Sequence, residues 1–521
     1  MSGNAVRWFL DRHVEESRGD RTAFTDPWRS LTYAGLQEAS ARAAGALAAA
    51  GITPERRVVL WLLDTVDFPA LFWGAIRLGA VPVPVNTLLT AAQLADLLRD
   101  SAAEALVVSA PLLPSALEAA AGARRLRALF SAAPEGAPQA GLPAGVRDWA
   151  AALAAAEPHR HAEEASPDQV AFWLYSSGST GIPKGVKHVH AALRATAETY
   201  GARVLGIRED DVCFSAAKLF FAYGLGNALT FPMSVGARSV LLPDRPTPQA
   251  VLEVMARHRP TIFYAVPTLY AALLAAGVGR GAGSDRLRRC VSAGEALPEA
   301  LGRRWAEEVG VDILDGIGST EMLHIFLSNR PGMVRYGTSG VPVPGYEAKI
   351  VDAEGDPVPD GEPGELWVRG PSAAEGYWNR RERSRLTFRG EWTATGDTYI
   401  RDPEGFFVYQ GRNDDMFKVS GIWVSPFEVE AALVAHPAVL EAAVVARRDA
   451  DGLVKPMAFV VPRDPSRPLD AAALQAHVKA IAGPWKYPRW IEAVEELPKT
   501  PTGKIQRFRL RERLTEAERA A

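Results

Sequence analysis

Short apolar runs alternate with longer Ala- and Leu-rich stretches through about the first four hundred residues. Residues 58–63 predict a strand and 68–78 a helix, and 81–85 and 91–100 repeat the pair. Later cycles open at 170–175, 212–215, 239–242, 261–264 and 288–292, each followed by a segment of helical composition. Strands alternating with helices predict parallel sheet covered on both faces. From Tyr346 the texture turns to alternating, turn-rich strands at 348–351, 365–369 and 406–409, which predicts a smaller β-rich subdomain. After Gly411 the pattern resets. Ser425 followed by Pro426 reads as a capped helix start. Two strands at 442–446 and 457–461, a helix from Asp470 and a basic tail complete a compact α+β unit. The fold class expected is therefore α/β: a large N-terminal region of parallel-rich sheets with a β-rich subdomain, then a small C-terminal α+β domain.

Composition narrows the function classes. Over 521 residues, 58 Lys+Arg stand against 61 Asp+Glu, a net charge of −3. That balance offers no basic footprint for a nucleic-acid backbone, so nucleic acid is not an expected partner. With 48% hydrophobic and 23% charged residues the chain is globular rather than disordered, and its length calls for at least two domains. Cys213 and Cys290, each beside apolar residues, are too few for a disulfide scaffold and read as buried thiols in a reducing compartment. The most apolar stretch, 58–85, is cut by Asp64, Asp67 and Arg77, short of the ~20 uninterrupted residues a membrane helix needs. No secretory signal pattern opens the chain. A cytoplasmic protein without a membrane partner is expected.

The densest chemistry lies at residues 175–185, where three Gly, three Ser, one Thr and one Lys fall within eleven residues. Glycines let backbone N–H groups approach an anion, the hydroxyls of Ser176, Ser177, Ser179 and Thr180 donate, and Lys184 supplies charge. Gly178 belongs to the same loop. It is neither a Walker A loop, since Gly185 follows Lys184, nor a Rossmann turn. The loop is expected to follow a strand and to lead directly into a helix. Three further stretches stand downstream: Asp315, Gly316, Ile317, Gly318, Ser319, Thr320 and Glu321; the turn ending at Asp397, with Arg412, Asn413 and Asp414 shortly after; and a basic turn ending at Lys504.

In this order the motifs resemble those of the acyl-adenylate-forming enzymes, which include acyl- and aryl-CoA synthetases, luciferases and peptide-synthetase adenylation domains. The resemblance covers almost the whole chain. It implies ATP, Mg²⁺ and coenzyme A as reactants and cofactors, with a carboxylate joined first to the α-phosphate and then to a thiol. By this resemblance Ser176, Ser177, Gly178, Ser179, Thr180 and Lys184 hold the outer phosphates. Thr320 bonds the α-phosphate, and Glu321 with Thr180 binds Mg²⁺. Asp397 takes the ribose hydroxyls beside Arg412. Ser292, Ala293, Gly294 and Glu295, with Asp315, Gly316 and Ile317, wall the adenine. Lys504 serves the transition state. The resemblance also implies domains at 1–413 and 414–521, a hinge at Asp414, a mobile C-terminal domain, and a thiol-side face carrying Lys418, Ser420 and Gly421.

Aromatic and apolar residues dominate 214–226 and 321–326, where the family builds its acid pocket. Ala222, Tyr223, Gly224, Gly318, His324 and Ile325 are the expected lining, suited to a flat hydrophobic acid. Both stretches resemble the benzoate–CoA ligases of the aryl-CoA branch, and a 2-aminobenzoate ligase would look nearly the same. A luciferase-like oxygenase, an enzyme loading a carrier protein, and a non-catalytic adenylate binder share the motifs, although the last would not need Glu321, Asp397 and Lys504 together. Trp485 departs from the smaller tyrosine expected of benzoate ligases. The small-molecule partners expected are an aryl carboxylate, ATP and coenzyme A, acting on a monomer or homodimer.

Overall fold

The alternation of apolar runs and helical stretches resolves into two largely parallel sheets. The computed structural model describes residues 3–177, 183–281, 283–413, 415–419, 422–449, 453–483, 486–499 and 505–520. These fall into two compact units, Met1–Ala348 with Val368–Thr393, and Lys349–Trp367 with Ala394–Ala521.

In the first unit, a nine-stranded sheet runs parallel through Ile313–Gly318, Arg289–Ser292, Ile262–Ala265, Val212–Ser215, Arg238–Val240 and Thr22–Thr25, with antiparallel strands at its edges. Its core gathers Phe214, Phe263, Tyr270 and Trp305, all fully buried. A second sheet of five parallel strands is ordered Val81–Pro84, Arg57–Trp61, Ala105–Ser109, Ala128–Ala132, Val146–Asp148. Val81–Pro84 contains two prolines because it is an edge strand. Val81 and Val85 donate inward to Arg56 and Leu60, while Pro82 and Pro84, which have no donor, occupy the alternate positions. The three charges that interrupt the apolar stretch are each partnered. Asp64 accepts from the Leu219 backbone N–H, Asp67 pairs with Arg29, and Arg77 with Asp11.

The third sheet of this unit departs from the sequence expectation. Val170–Ser177 and Pro183–Val189 form an antiparallel hairpin, so the Gly/Ser/Thr loop joins two strands rather than a strand and a helix. The cause is a period-two pattern: Val186 and His188 are buried, and Lys187 is not. The helix His190–Thr196 starts only afterwards.

In the second unit, Trp392–Arg401 and Phe407–Arg412 pair antiparallel. Helix Pro426–Val434 is capped by Ser425, whose hydroxyl accepts from Glu428, as the sequence predicts. Strands Val439–Arg448 and Val454–Pro462 pair antiparallel, Trp490–Ala493 adds in parallel, and helix Ala471–Ala482 is capped by Asp470. Among the described residues no helix is long and apolar enough to cross a membrane.

Candidate active site

The hairpin delivers the phosphate-loop residues in register. Ser176 faces Lys184 and Ser177 faces Pro183 across the ladder. Gly178, Ser179 and Thr180 lie outside the described residues. A short strand, Gly376–Tyr377, joins the open edge of the hairpin opposite Lys187 and Val186. It contributes a residue that the sequence reading did not single out. Tyr377 donates its hydroxyl to Glu321 Oε1 at 2.8 Å, and the Lys184 ammonium lies 5.2 Å from the centroid of the same ring. One aromatic side chain thus touches both the loop lysine and the motif carboxylate. Glu321 lies 56 residues before Tyr377, and nothing local in the sequence marks the pair.

The turn bearing Thr320 and Glu321 is fixed from behind. His188, buried and stacked on Phe172, bonds through Nε2 to the Thr320 carbonyl at 2.9 Å. Burial lowers its pKa to about 4, so the ring is neutral at pH 7 and donates this proton. Leu323 adopts φ +65°, a left-handed conformation unusual for a branched residue. That turn lets Glu321 and His324 project from one short segment between Ile313–Gly318 and Ile325–Ser328.

The segments expected to wall the adenine are neighbours in the main sheet. Ser292 and Asp315 are paired across adjacent parallel strands, and Gly294 follows at φ +94°. Asp315 is buried and Leu297 N–H reaches its Oδ2 at 3.5 Å, whereas its Oδ1 and the Ser292 hydroxyl have no hydrogen-bond partner. Burial raises the Asp315 pKa to about 8. Unpartnered buried polar atoms are costly, and a purine amino group is the kind of donor that would satisfy them.

On the acid side the structure gathers Tyr223 and His324, with ring centroids 5.6 Å apart; Tyr200 and Phe231 lie 5.1 and 4.5 Å from His324. Burial lowers the His324 pKa to about 3, so this ring too is neutral, and Asn227 Oδ1 lies 3.1 Å from its Nε2. Tyr200 Oη and Asn227 Nδ2 are buried without a hydrogen-bond partner. Ile325 is buried on the strand that follows His324, and Ala222 is half-buried at the start of its helix. The glycines here are required by close approach. A Cβ at Gly224 would meet the Lys218 carbonyl at 2.0 Å, and one at Gly226 would meet His324 Cδ2 at 2.4 Å. Gly318 likewise passes the His324 carbonyl too closely for a side chain. The loop leading in is held by Lys218, which donates to the Asp244 carbonyl at 2.6 Å, and by the Asp64 carboxylate on Leu219. The sequence reading assigned neither anchor a role.

In the second unit, Asp397 and Arg412 stand opposite each other across the strand pair, joined by a 3.1 Å ion pair. Arg412 also donates to the Thr395 carbonyl at 3.0 Å. Lys418 lies on strand Phe417–Val419. Asp414, Ser420, Gly421, Trp485 and Lys504 lie outside the described residues.

The donor set fits Mg²⁺ held with a nucleotide rather than in a protein cage. Among the described residues no group of three His, Cys, Asp or Glu side chains could hold a metal. Glu321 is instead a single oriented carboxylate, and Mg²⁺ typically takes one or two carboxylates plus phosphate oxygens and water.

The Ser176–Lys184 register, the Ser292–Asp315 pair and the Asp397–Arg412 ion pair place the motif residues of each unit on ordered strands. Residues 10–378 match the AMP-binding enzyme family, and residues 428–504 match the AMP-binding enzyme C-terminal domain. The chain belongs to this family of adenylate-forming acid–thiol ligases. It is 53% identical over 516 residues to the 4-hydroxybenzoate–CoA/benzoate–CoA ligase of Rhodopseudomonas palustris, covering 98% of this chain and 94% of that one. The benzoate CoA ligase of Burkholderia xenovorans LB400 superposes with a TM-score of 0.88 at 49% identity, over 98% of this chain and 100% of that one. The anthranilate CoA ligase AuaEII, solved with anthranoyl-AMP, gives a TM-score of 0.92 at 42% identity, over 99% and 98%. The chain lies in the aryl-CoA ligase branch, whose reactions use ATP and coenzyme A.

Proposed function

We propose that the protein joins benzoate, or a close aryl acid, to coenzyme A through an aryl-AMP intermediate. The observation that carries the choice of acid is the ring of Tyr223, Tyr200 and Phe231 around a neutral His324, a flat-walled setting that suits an aromatic face. In the first step a carboxylate oxygen attacks the α-phosphorus in line, and the bond to pyrophosphate breaks. Ser176, Ser177, Gly178, Ser179, Thr180 and Lys184 would hold the outer phosphates, and Thr320 the α-phosphate. Asp397 and Arg412 would orient the ribose, and the segments containing Ser292 and Asp315 the base. Lys504 would offset charge developing between carboxylate and phosphate. Glu321 and Thr180 would hold Mg²⁺, which would neutralise charge at the phosphate oxygens. In the second step the thiol of coenzyme A attacks the acyl carbon and AMP leaves.

Because Lys504 serves only the first step, we assign residues 1–413 and 414–521 to two domains that swing about Asp414, exchanging the Lys504 face for one carrying Lys418, Ser420 and Gly421. The two buried, unbridged cysteines support a cytoplasmic setting. A second acid, 2-aminobenzoate, is favoured by the polar Tyr200 hydroxyl and Asn227 side chain beside His324, which would bond a ring amino or hydroxyl group. The test is AMP release with coenzyme A across benzoate, 2-aminobenzoate, the hydroxybenzoates and a medium-chain fatty acid. The highest kcat/KM is expected for benzoate. A preference for the fatty acid, or AMP release indifferent to coenzyme A, overturns the reading.

A further inference from the structure

We propose that Asp415 and Arg507 are positioning residues that tie the segment after the hinge to the loop carrying Lys504, so that the lysine is placed by the hinge rather than by its own loop. The inference rests on the reading of Lys504 as the residue serving adenylation. Arg507 is the third residue after Lys504 and the first of helix Arg507–Ala520. Its guanidinium, largely buried, makes a forked contact with Glu430, Nε to Oε1 at 3.0 Å and Nη2 to Oε2 at 2.5 Å. Glu430 sits on helix Pro426–Val434 and also accepts the Val444 N–H at 2.7 Å. Arg507 is thereby fastened to the core of its domain. Its remaining nitrogen, Nη1, reaches Asp415 Oδ2 at 3.3 Å.

Asp415 directly follows the hinge residue. Its other oxygen takes Arg511 Nη1 at 2.7 Å, so both oxygens face the helix that follows the lysine loop. The near side of that loop is pinned as well. Lys499 pairs with Ile505 as an isolated bridge, Gln506 N–H donates to the Pro498 carbonyl at 2.8 Å, and Lys499 Nζ contacts both Glu441 oxygens at 2.6 and 2.8 Å. Pro498, Lys499, Ile505 and Gln506, which flank 500–504, are therefore fixed to one another and to Glu441. Glu430 holds two of the Arg507 nitrogens in the fork and Asp415 takes the third, so substitution at Asp415 leaves the fork in place. That separation lets a single substitution test the coupling without dismantling the fold.

The experiment measures the two half-reactions on full-length protein: pyrophosphate release from benzoate and ATP without coenzyme A, and thioester formation from supplied benzoyl-AMP and coenzyme A. Asp415→Asn should lower kcat for adenylation about tenfold at unchanged KM for ATP, since small misplacement of a reacting group is costly. Thioester formation should stay within about twofold of wild type. Arg511→Met, which removes the outer partner, should shift adenylation in the same direction by less. Arg507→Lys, keeping charge but losing the fork, should follow Asp415→Asn. Thermal midpoints report whether each variant folds. Equal losses in both half-reactions, or wild-type adenylation in folded Asp415→Asn and Arg511→Met, overturn the coupling while leaving the function standing. Wild-type protein that releases no pyrophosphate with any aryl acid overturns both.

Discussion

Asp315 is a carboxyl whose burial, rather than any charged partner, sets its behaviour. Its folded pKa of about 8 stands far above the ordinary carboxylate value, so the unfolded chain gives up this proton at much lower pH. Stability from this group is full in acid and is lost as pH rises from the ordinary range through about 8. Asp315→Asn keeps the shape and cannot ionise. Its thermal midpoint relative to wild type should therefore climb between pH 5 and about 8 and level off above, which calorimetry across that range measures. A flat difference would mean that Asp315 is ionised throughout. Tyr377 poses a separate residue-scale question, since one ring serves Lys184 by its face and Glu321 by its hydroxyl. Tyr377→Phe keeps the face and removes the donor. A hydrogen bond to a charged group contributes about 1.5–3 kcal/mol, so the Mg²⁺ concentration for half-maximal adenylation should rise about tenfold. Pyrophosphate release titrated against Mg²⁺ reads the change, and no shift would remove Tyr377 from the metal side.

At the scale of elements, the acid side depends on the helix after Phe221 passing flush against the turn that carries His324. Gly226→Ala would drive a methyl to 2.4 Å from His324 Cδ2, and that ring already has Phe231 4.5 Å away on another side. Overfilling a packed pocket costs roughly 1–3 kcal/mol, so kcat/KM for the aryl acid should fall at least about tenfold. KM for ATP should hold, because the added methyl meets His324 and Phe231 and not Ser292 or Asp315. Steady-state kinetics with each substrate varied separates the two. The sequence marked Gly224 and His324 as expected pocket lining but could not show that Gly226 approaches His324, which lies almost a hundred residues further on. Some local signals were legible: Ser425 and Asp470 cap their helices, and strand Val212–Ser215 has the bounds its apolar run implies. Where two local patterns competed, the reading failed. The loop after Val170–Ser177 is expected to lead directly into a helix, whereas the Val186/His188 alternation makes a strand. Asp64 was legible only as an interruption of an apolar stretch, because its partner Leu219 is 155 residues away.

Across the whole molecule, residues proposed for the first step come from both units. The first unit holds the phosphate hairpin, Glu321, the adenine strands and the acid-side rings, whereas the second holds Asp397, Arg412 and the segments leading to Lys418 and Lys504. In the proposed mechanism the carboxylate oxygen first attacks the α-phosphorus and a thiol must then reach the acyl carbon so activated, where a lysine close enough to assist the first step would obstruct the second. The proposed swing about Asp414 resolves that conflict by giving each step its own face of residues 414–521. Gly421, on the thiol-side face, has no Cβ to impede a pantetheine arm. Two variants should therefore fail in opposite half-reactions. Lys504→Ala should lose adenylation while still converting supplied benzoyl-AMP and coenzyme A to thioester. Gly421→Leu should adenylate normally and slow thioester formation at least about tenfold, as blocked approach does to an oriented reaction. The measurement is the pair of half-reaction rates for each variant, with thermal midpoints confirming that both fold. If folded Lys504→Ala fails equally in the two steps, one arrangement serves both reactions and the swing is not part of this enzyme's mechanism.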